Sequence, residues 1–124
     1  DYSALSVWIQ SQCRCEIVRV MPPDVFWPRP KVESAILSIQ PQKVLRDRIP
    51  DREHFHDLVR KIFTHRRKFL RSALHSAVKI DLDKYKVDEL MAELEISSTA
   101  RAEELSPQQL IELCSLVRQR TVSQ

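Results

Sequence analysis

The apolar positions change period twice along the chain. Leu5, Trp8, Ile9 and Cys13 recur at helical spacing, so residues 2–12 are predicted to end an amphipathic helix. Residues 15–20 then alternate and are rich in β-branched types, which predicts a strand. Pro22-Pro23 ends it, and four prolines between positions 22 and 30 predict a stiff, extended loop. Residues 34–39 form a second predicted strand, and two strands joined by so short a loop most simply pair antiparallel. A lone pair of strands is marginal in water, so this pair should belong to a larger sheet or be covered. Residues 40–50 are polar and proline-bounded, as a linker is.

From Asp51 onward the period is helical. Asp51, with Glu53 and His54 after it, predicts an N-cap. Phe55, Leu58, Val59, Ile62 and Phe63 form the stripe behind it. A second helix is predicted from about Arg66, with Phe69, Leu70, Ala73, Leu74 and Ala77 inward. Val87, Leu90, Met91 and Leu94 mark a third. The fourth has Ser106 as cap and Pro107 at its first position, then Leu110, Ile111, Leu113, Cys114 and Val117 inside. Four short helices with short connections predict a small all-α module.

Composition narrows the chemistry. The chain has 124 residues, 43% hydrophobic and 30% charged. No run approaches the roughly 20 apolar residues of a membrane helix. The absence of an initiator Met, and an apolar pattern that starts at once, suggest a piece of something larger. The chain holds no glycine. A nucleotide-binding strand–turn–helix needs glycine where the backbone approaches the ligand, so neither a dinucleotide fingerprint nor a phosphate-cradling loop is expected. Cys13, Cys15 and Cys114 have no zinc-ligand spacing, so no metal is expected and they read as reduced thiols of a cytoplasmic protein. His54, His56, His65 and His75 lack ligand spacing too and are expected at the surface.

Charge is segregated. The formal net charge is +3. Residues 58–80 hold no Asp or Glu but seven bases: Arg60, Lys61, Arg66, Arg67, Lys68, Arg71 and Lys79. Residues 81–117 carry nine acids against Lys84, Lys86 and Arg101. A basic stripe beside an acidic region orients a protein toward a polyanion. If Arg67 and Arg71 lie on one helix they share a face, and each phosphate they neutralised would add salt-dependent affinity. A merely solvated helix face is the competing explanation. The proline loop likewise has two readings. Its prolines hold Phe26 and Trp27 at little entropic cost, so a rigid aromatic could stack on a flipped-out base. Composition alone favours the other, that both pack onto the sheet, since aromatics are mostly buried.

Three stretches resemble the ribosomal-RNA adenine N6,N6-dimethyltransferase family. Tyr2 to Val7 is similar to Tyr-Gly-x-Leu-Ser-Val. Residues 22–35, from Pro22-Pro23 through Phe26, Pro28, Pro30 and Lys31 to Ala35, resemble Pro-Pro-x-x-Phe-x-Pro-x-Pro-Lys-Val-Asp-Ser-Ala. Residues 63–70 resemble Phe-x-x-Arg-Arg-Lys-Thr-Leu. Residues 99–106 also look like the turn before the family's last helix. Ser3 replaces the family's usual glycine and Phe69 its threonine.

The resemblance implies a mainly α piece of α+β type. Residues 1–40 would end an α/β methyltransferase domain with its last two antiparallel strands, 41–50 would link, and 51–124 would form a small all-α C-terminal domain of about four helices. It implies that Phe26 stacks on the target adenine and that Pro28, Pro30 and Lys31 belong to the active-site loop. Arg60, Lys61, Arg66, Arg67, Lys68 and Arg71 would face small-subunit ribosomal RNA or the 30S-type particle. The parent would be a cytoplasmic monomer using S-adenosylmethionine. The family's glycine-rich cofactor loop and its Asn-x-Pro-Tyr motif are not in this chain, which alone is expected to be inactive and to bind no cofactor. Two alternatives remain: a non-catalytic RNA- or ribosome-binding module, and an interaction domain for acidic protein. The exposed strand edge could also pair with a second copy.

Overall fold

The computed structural model describes residues 2–65 and 67–122. The first helix, α1 (Ala4–Gln12), starts where Ser3 turns extended and its hydroxyl accepts from the Ser6 amide, while the Ser6 hydroxyl accepts from the Ser3 amide at 3.2 Å. It buries Val7 completely, with Tyr2, Ala4 and Trp8 partly buried alongside. Leu5, expected inward, is 59% exposed. The buried face of α1 is rotated away from the Leu5–Ile9 stripe because the helix meets the helical core through Val7 and Ser11.

At Cys13 the backbone becomes extended and β1 (Cys13–Met21) begins. It pairs antiparallel with β2 (Ser34–Pro41), in register from Cys13 opposite Pro41 to Met21 opposite Ser34. One irregularity lies between Ile17 and Arg19, where Val18 has no partner opposite, as in a β-bulge. The expected pairing therefore forms, with apolar side chains on show: Ile17, Val18, Val20, Ile36, Leu37 and Ile39 are all exposed.

The polar stretch after β2 carries a short helix, α2 (Lys43–Asp47), closed by a Lys43–Asp47 ion pair of 2.7 Å. Ile49 behind it is buried. Next, α3 (Arg52–Thr64) is capped by Asp51, whose carboxylate accepts from the His54 amide at 3.1 Å. Its five expected stripe residues, Phe55, Leu58, Val59, Ile62 and Phe63, are all buried. This helix lies at the centre of the helical body and touches α1, α4 (Leu70–Val78) and α6 (Pro107–Val122).

α4 starts one turn later than expected. Arg67 and Lys68 lie in the turn before it, so Arg67 and Arg71 do not share a helical face. Phe69 precedes the first helical residue with extended backbone and is 43% exposed, outside the core. α5 (Lys84–Glu93) is capped by Asp83 and ends in a Schellman motif: the Ile96 amide donates to Met91 and the Glu95 amide to Ala92. Glu95 takes the left-handed conformation there, φ 58°, a position that usually falls to glycine. α6 begins with a capping box, the Ser106 hydroxyl accepting from the Gln109 amide at 3.1 Å and Gln109 reciprocating at 2.9 Å. It buries Leu110, Ile111, Leu113, Cys114 and Val117. The core is completed by residues outside the periodic stripes, namely Leu82, Ala100, Ala102 and Leu105. No helix is long and apolar enough to cross a membrane among the described residues.

Candidate nucleic-acid interface

The two strands carry the proline loop outward. Pro23–Val25 makes one 3-10 turn, after which Phe26 returns to extended backbone. Trp27 is 95% exposed and Phe26 is 39% exposed, so the expectation that both pack onto the sheet is not met. The prolines restrict the backbone of the loop that carries them. The Trp27–Pro28 peptide is cis. Pro28 and Lys31 are exposed and Pro30 is half-buried. Such a loop presents two aromatic faces to solvent with few backbone degrees of freedom left to lose on binding.

The basic side chains divide into three settings. Arg60 and Lys61, on α3, both reach Asp57, at 2.5 and 3.0 Å. Hydrogen bonds from Lys61 and then Arg60 hold the Asp57 carboxyl below its usual range. Arg71, on α4, makes a two-pronged contact with Asp88 of α5, at 2.5 and 2.8 Å, which raises its pKa. Arg67 and Lys68 form no ion pair among the described residues. They line an open depression of about 360 Å³ with Phe69, Ser72 and Arg101. Arg66 lies outside the described residues. The expected grip is thus not one continuous stripe: among the described residues Arg67 and Lys68 have no carboxylate partner, Arg60 and Lys61 share the one carboxylate of Asp57, and Arg71 is paired with Asp88.

By sequence Arg101 is only a base within the acidic half, and the structure places it in this depression. Its guanidinium donates to the Arg67 backbone carbonyl and lies 5.3 Å from the Phe69 ring centroid, a cation–π distance. The neighbouring Ala100 carbonyl accepts from the Leu70 amide at 2.7 Å, which fastens the start of α4. Periodicity could not have revealed this, because the partners are 34 residues apart. The signal available was the similarity of residues 99–106 to a family turn.

His56 also differs from expectation. It is half-buried, its ring 5.3 Å from that of Trp8, and its Nε2 is 2.6 Å from the Gln12 amide nitrogen. Burial, then Arg52 and Arg46, lower its pKa. Cys114 is buried, and desolvation pushes its thiol far up, so it is inert. No cluster of metal-ligating side chains occurs among the described residues.

The same fold recurs within larger solved chains. It superposes on a dimethyladenosine transferase from Plasmodium falciparum with a TM-score of 0.76 at 17% identity, over 97% of this chain and 51% of that one. The 23S rRNA methyltransferase ErmE gives 0.62 at 19%, over 94% and 46%. At the sequence level, the model of the family described as ribosomal RNA adenine dimethylase matches residues 1–119, and the chain belongs to that family. The ribosomal RNA small subunit methyltransferase A of Halothermothrix orenii is 40% identical over 110 residues, covering 89% of this chain and 36% of that protein. The same-named protein of Nitratidesulfovibrio vulgaris is 38% identical over 123 residues, covering 99% and 44%. The chain therefore spans less than half the length of these relatives.

Proposed function

We propose that these 124 residues are the RNA-facing C-terminal part of a cytoplasmic, S-adenosylmethionine-dependent enzyme that dimethylates adenines of small-subunit ribosomal RNA. The observation that carries this is the exposed, proline-framed Phe26 in a chain whose family acts on ribosomal RNA adenines. Residues 1–40 complete the catalytic domain, 41–50 link it and 51–124 are the helical domain. Phe26 stacks on the flipped adenine, within a loop shaped by Pro28, Pro30 and Lys31. Arg67 and Lys68 contact phosphates, with Arg60, Lys61 and Arg71 on the flanks and Arg66 in the same turn.

The cofactor belongs to another part of the parent. This chain has no glycine to admit a nucleotide against its backbone. The passage from β2 leads into α2, a helix of 5 residues whose Gln42 entry amide is already bonded to the Gln12 carbonyl. These residues do not fit the group, and their own work is to hold the base and the phosphates in place.

The test is binding of the chain to a small-subunit 3′-terminal hairpin. Phe26→Ala is expected to weaken it roughly tenfold or more, as loss of a stacked base does. On a hairpin whose target adenines are abasic, wild type and variant should bind alike. Equal binding on the intact hairpin sinks the stacking role. Incubation with S-adenosylmethionine should leave the hairpin unmethylated, and robust turnover by the chain alone sinks the division of labour.

A further inference from the structure

Gln12 is where the strand pair meets the helical body. Its backbone carbonyl accepts from the Gln42 amide at 2.9 Å, which ties the start of β1 to the residue that follows β2. Its side-chain nitrogen donates to the Trp8 carbonyl at 3.1 Å and lies 2.6 Å from His56 Nε2 on α3. The Trp8 contact fixes which end of the amide is nitrogen, since a carbonyl accepts and cannot donate. With one amide hydrogen spent on Trp8, the other points at His56 Nε2. That nitrogen must therefore be the acceptor, and His56 the neutral Nδ1–H tautomer. Gln12 itself is buried, 8% exposed.

We infer that the Gln12–His56 hydrogen bond is a positioning joint that sets the angle between the strand pair carrying Phe26 and the helices carrying Arg67 and Lys68. The strands root at Gln12 and Gln42, and the proline loop is at the opposite end. At about 3.3 Å per residue the strand pair is roughly 26 Å long, so a rotation of about 10° at the root moves the loop about 4–5 Å. A misplacement of about 1 Å is enough to spoil reactive geometry. Protonation of His56 would set an N–H against the Gln12 amide hydrogens and open the joint. The cations facing it are Arg46 on α2 and Arg52 on its own helix, and both oppose a second positive charge. The joint itself does not depend on the RNA reading; its importance for catalysis does.

The experiment is a spin-label distance between Val20→Cys in β1 and Glu112→Cys in α6, with Cys13 and Cys15 changed to Ser and the inert Cys114 kept. At pH 7.5 wild type should give one narrow distribution. Gln12→Ala and His56→Ala should displace or broaden it by about 4 Å or more. Lowering the pH through the His56 titration should do the same to wild type, with the helical circular dichroism unchanged. His56→Gln keeps an acceptor at the same reach but does not titrate, so it should stay narrow at both pH values. Unchanged distributions in Gln12→Ala and in acidified wild type overturn the joint, and the acid arm stands even if a variant fails to fold. In parallel, Gln12→Ala should bind the 3′-terminal hairpin about tenfold more weakly with an unaltered salt slope. If wild type ignores the hairpin while the distances respond, the RNA reading fails and the joint stands.

Discussion

Replacing Arg67 and Lys68 together with alanine removes the two described basic side chains of the α3–α4 turn that no carboxylate compensates. A phosphate contact contributes about 0.7 (single strand) to 0.9 (duplex) to the slope of log affinity against log salt. Losing both should therefore flatten the slope by about 1.4–1.8, and between 50 and 200 mM salt the wild-type advantage should shrink about 7- to 12-fold. Arg71 offers the internal comparison. Asp88 already holds it at 2.5 and 2.8 Å, so Arg71→Ala should change the slope by much less than one contact. Asp88→Asn frees the same guanidinium and should steepen the slope by about 0.7–0.9. The assay is fluorescence anisotropy of a labelled small-subunit 3′-terminal hairpin over a salt series. Equal flattening by Arg71→Ala and by the double variant would refute the reasoning, since carboxylate pairing would then be irrelevant to the grip. A flat wild-type salt series would refute the grip itself.

Val7→Ala should destabilise the chain by about 1.6 kcal/mol or more, two buried methylenes at ~0.8 each, whereas Leu5→Ala should stay within about 0.5. Chemical denaturation measures both, and a neutral Val7→Ala would mean that α1 is not part of the helical core. Ser106→Ala removes the side-chain acceptor of the α6 cap and should cost about 0.5–2 kcal/mol, with Ser106→Gly costing less. His54 and His56 both have lowered pKa values, chiefly through burial, so the folded chain favours their neutral forms. Stability should then be fully present above the ordinary histidine value of 6.5 and fall as the pH drops below it, levelling off beneath the folded values. Thermal midpoints that rise on acidification from pH 7 to 5 would contradict the sign.

Local periodicity was enough for the helical stripes of α3 and α6, because Phe55, Leu58, Val59, Ile62 and Phe63, and Leu110, Ile111, Leu113, Cys114 and Val117, each present one face to one core. Alternation and a short proline loop were enough for the antiparallel strands. The proline loop and the Arg66–Lys68 run were legible through family resemblance, since their spacing is specific even where their geometry is not. Other features depended on partners remote in sequence. Phe69 looked like a core residue, yet Ala100 fastens the backbone so that α4 begins after it and Arg101 covers its ring. Leu5 fitted a helical stripe, yet Val7 and Ser11 face the core because α3 and α6 approach from that side. His56 lacked any motif, and only the packing of α1 on α3 brought Gln12 within 2.6 Å of it. The sequence by itself determined the two strands and the stripes of α3 and α6, where charge accumulates and which family motifs recur, because those are properties of neighbours along the chain; it missed α2 and began α4 a turn early. Tertiary structure alone decided which charges remain uncompensated, which aromatics face solvent and what joins the strands to the helices. Apart from the Asp57 pairs, which lie within α3, those depend on distant segments meeting, and no local pattern encodes the meeting.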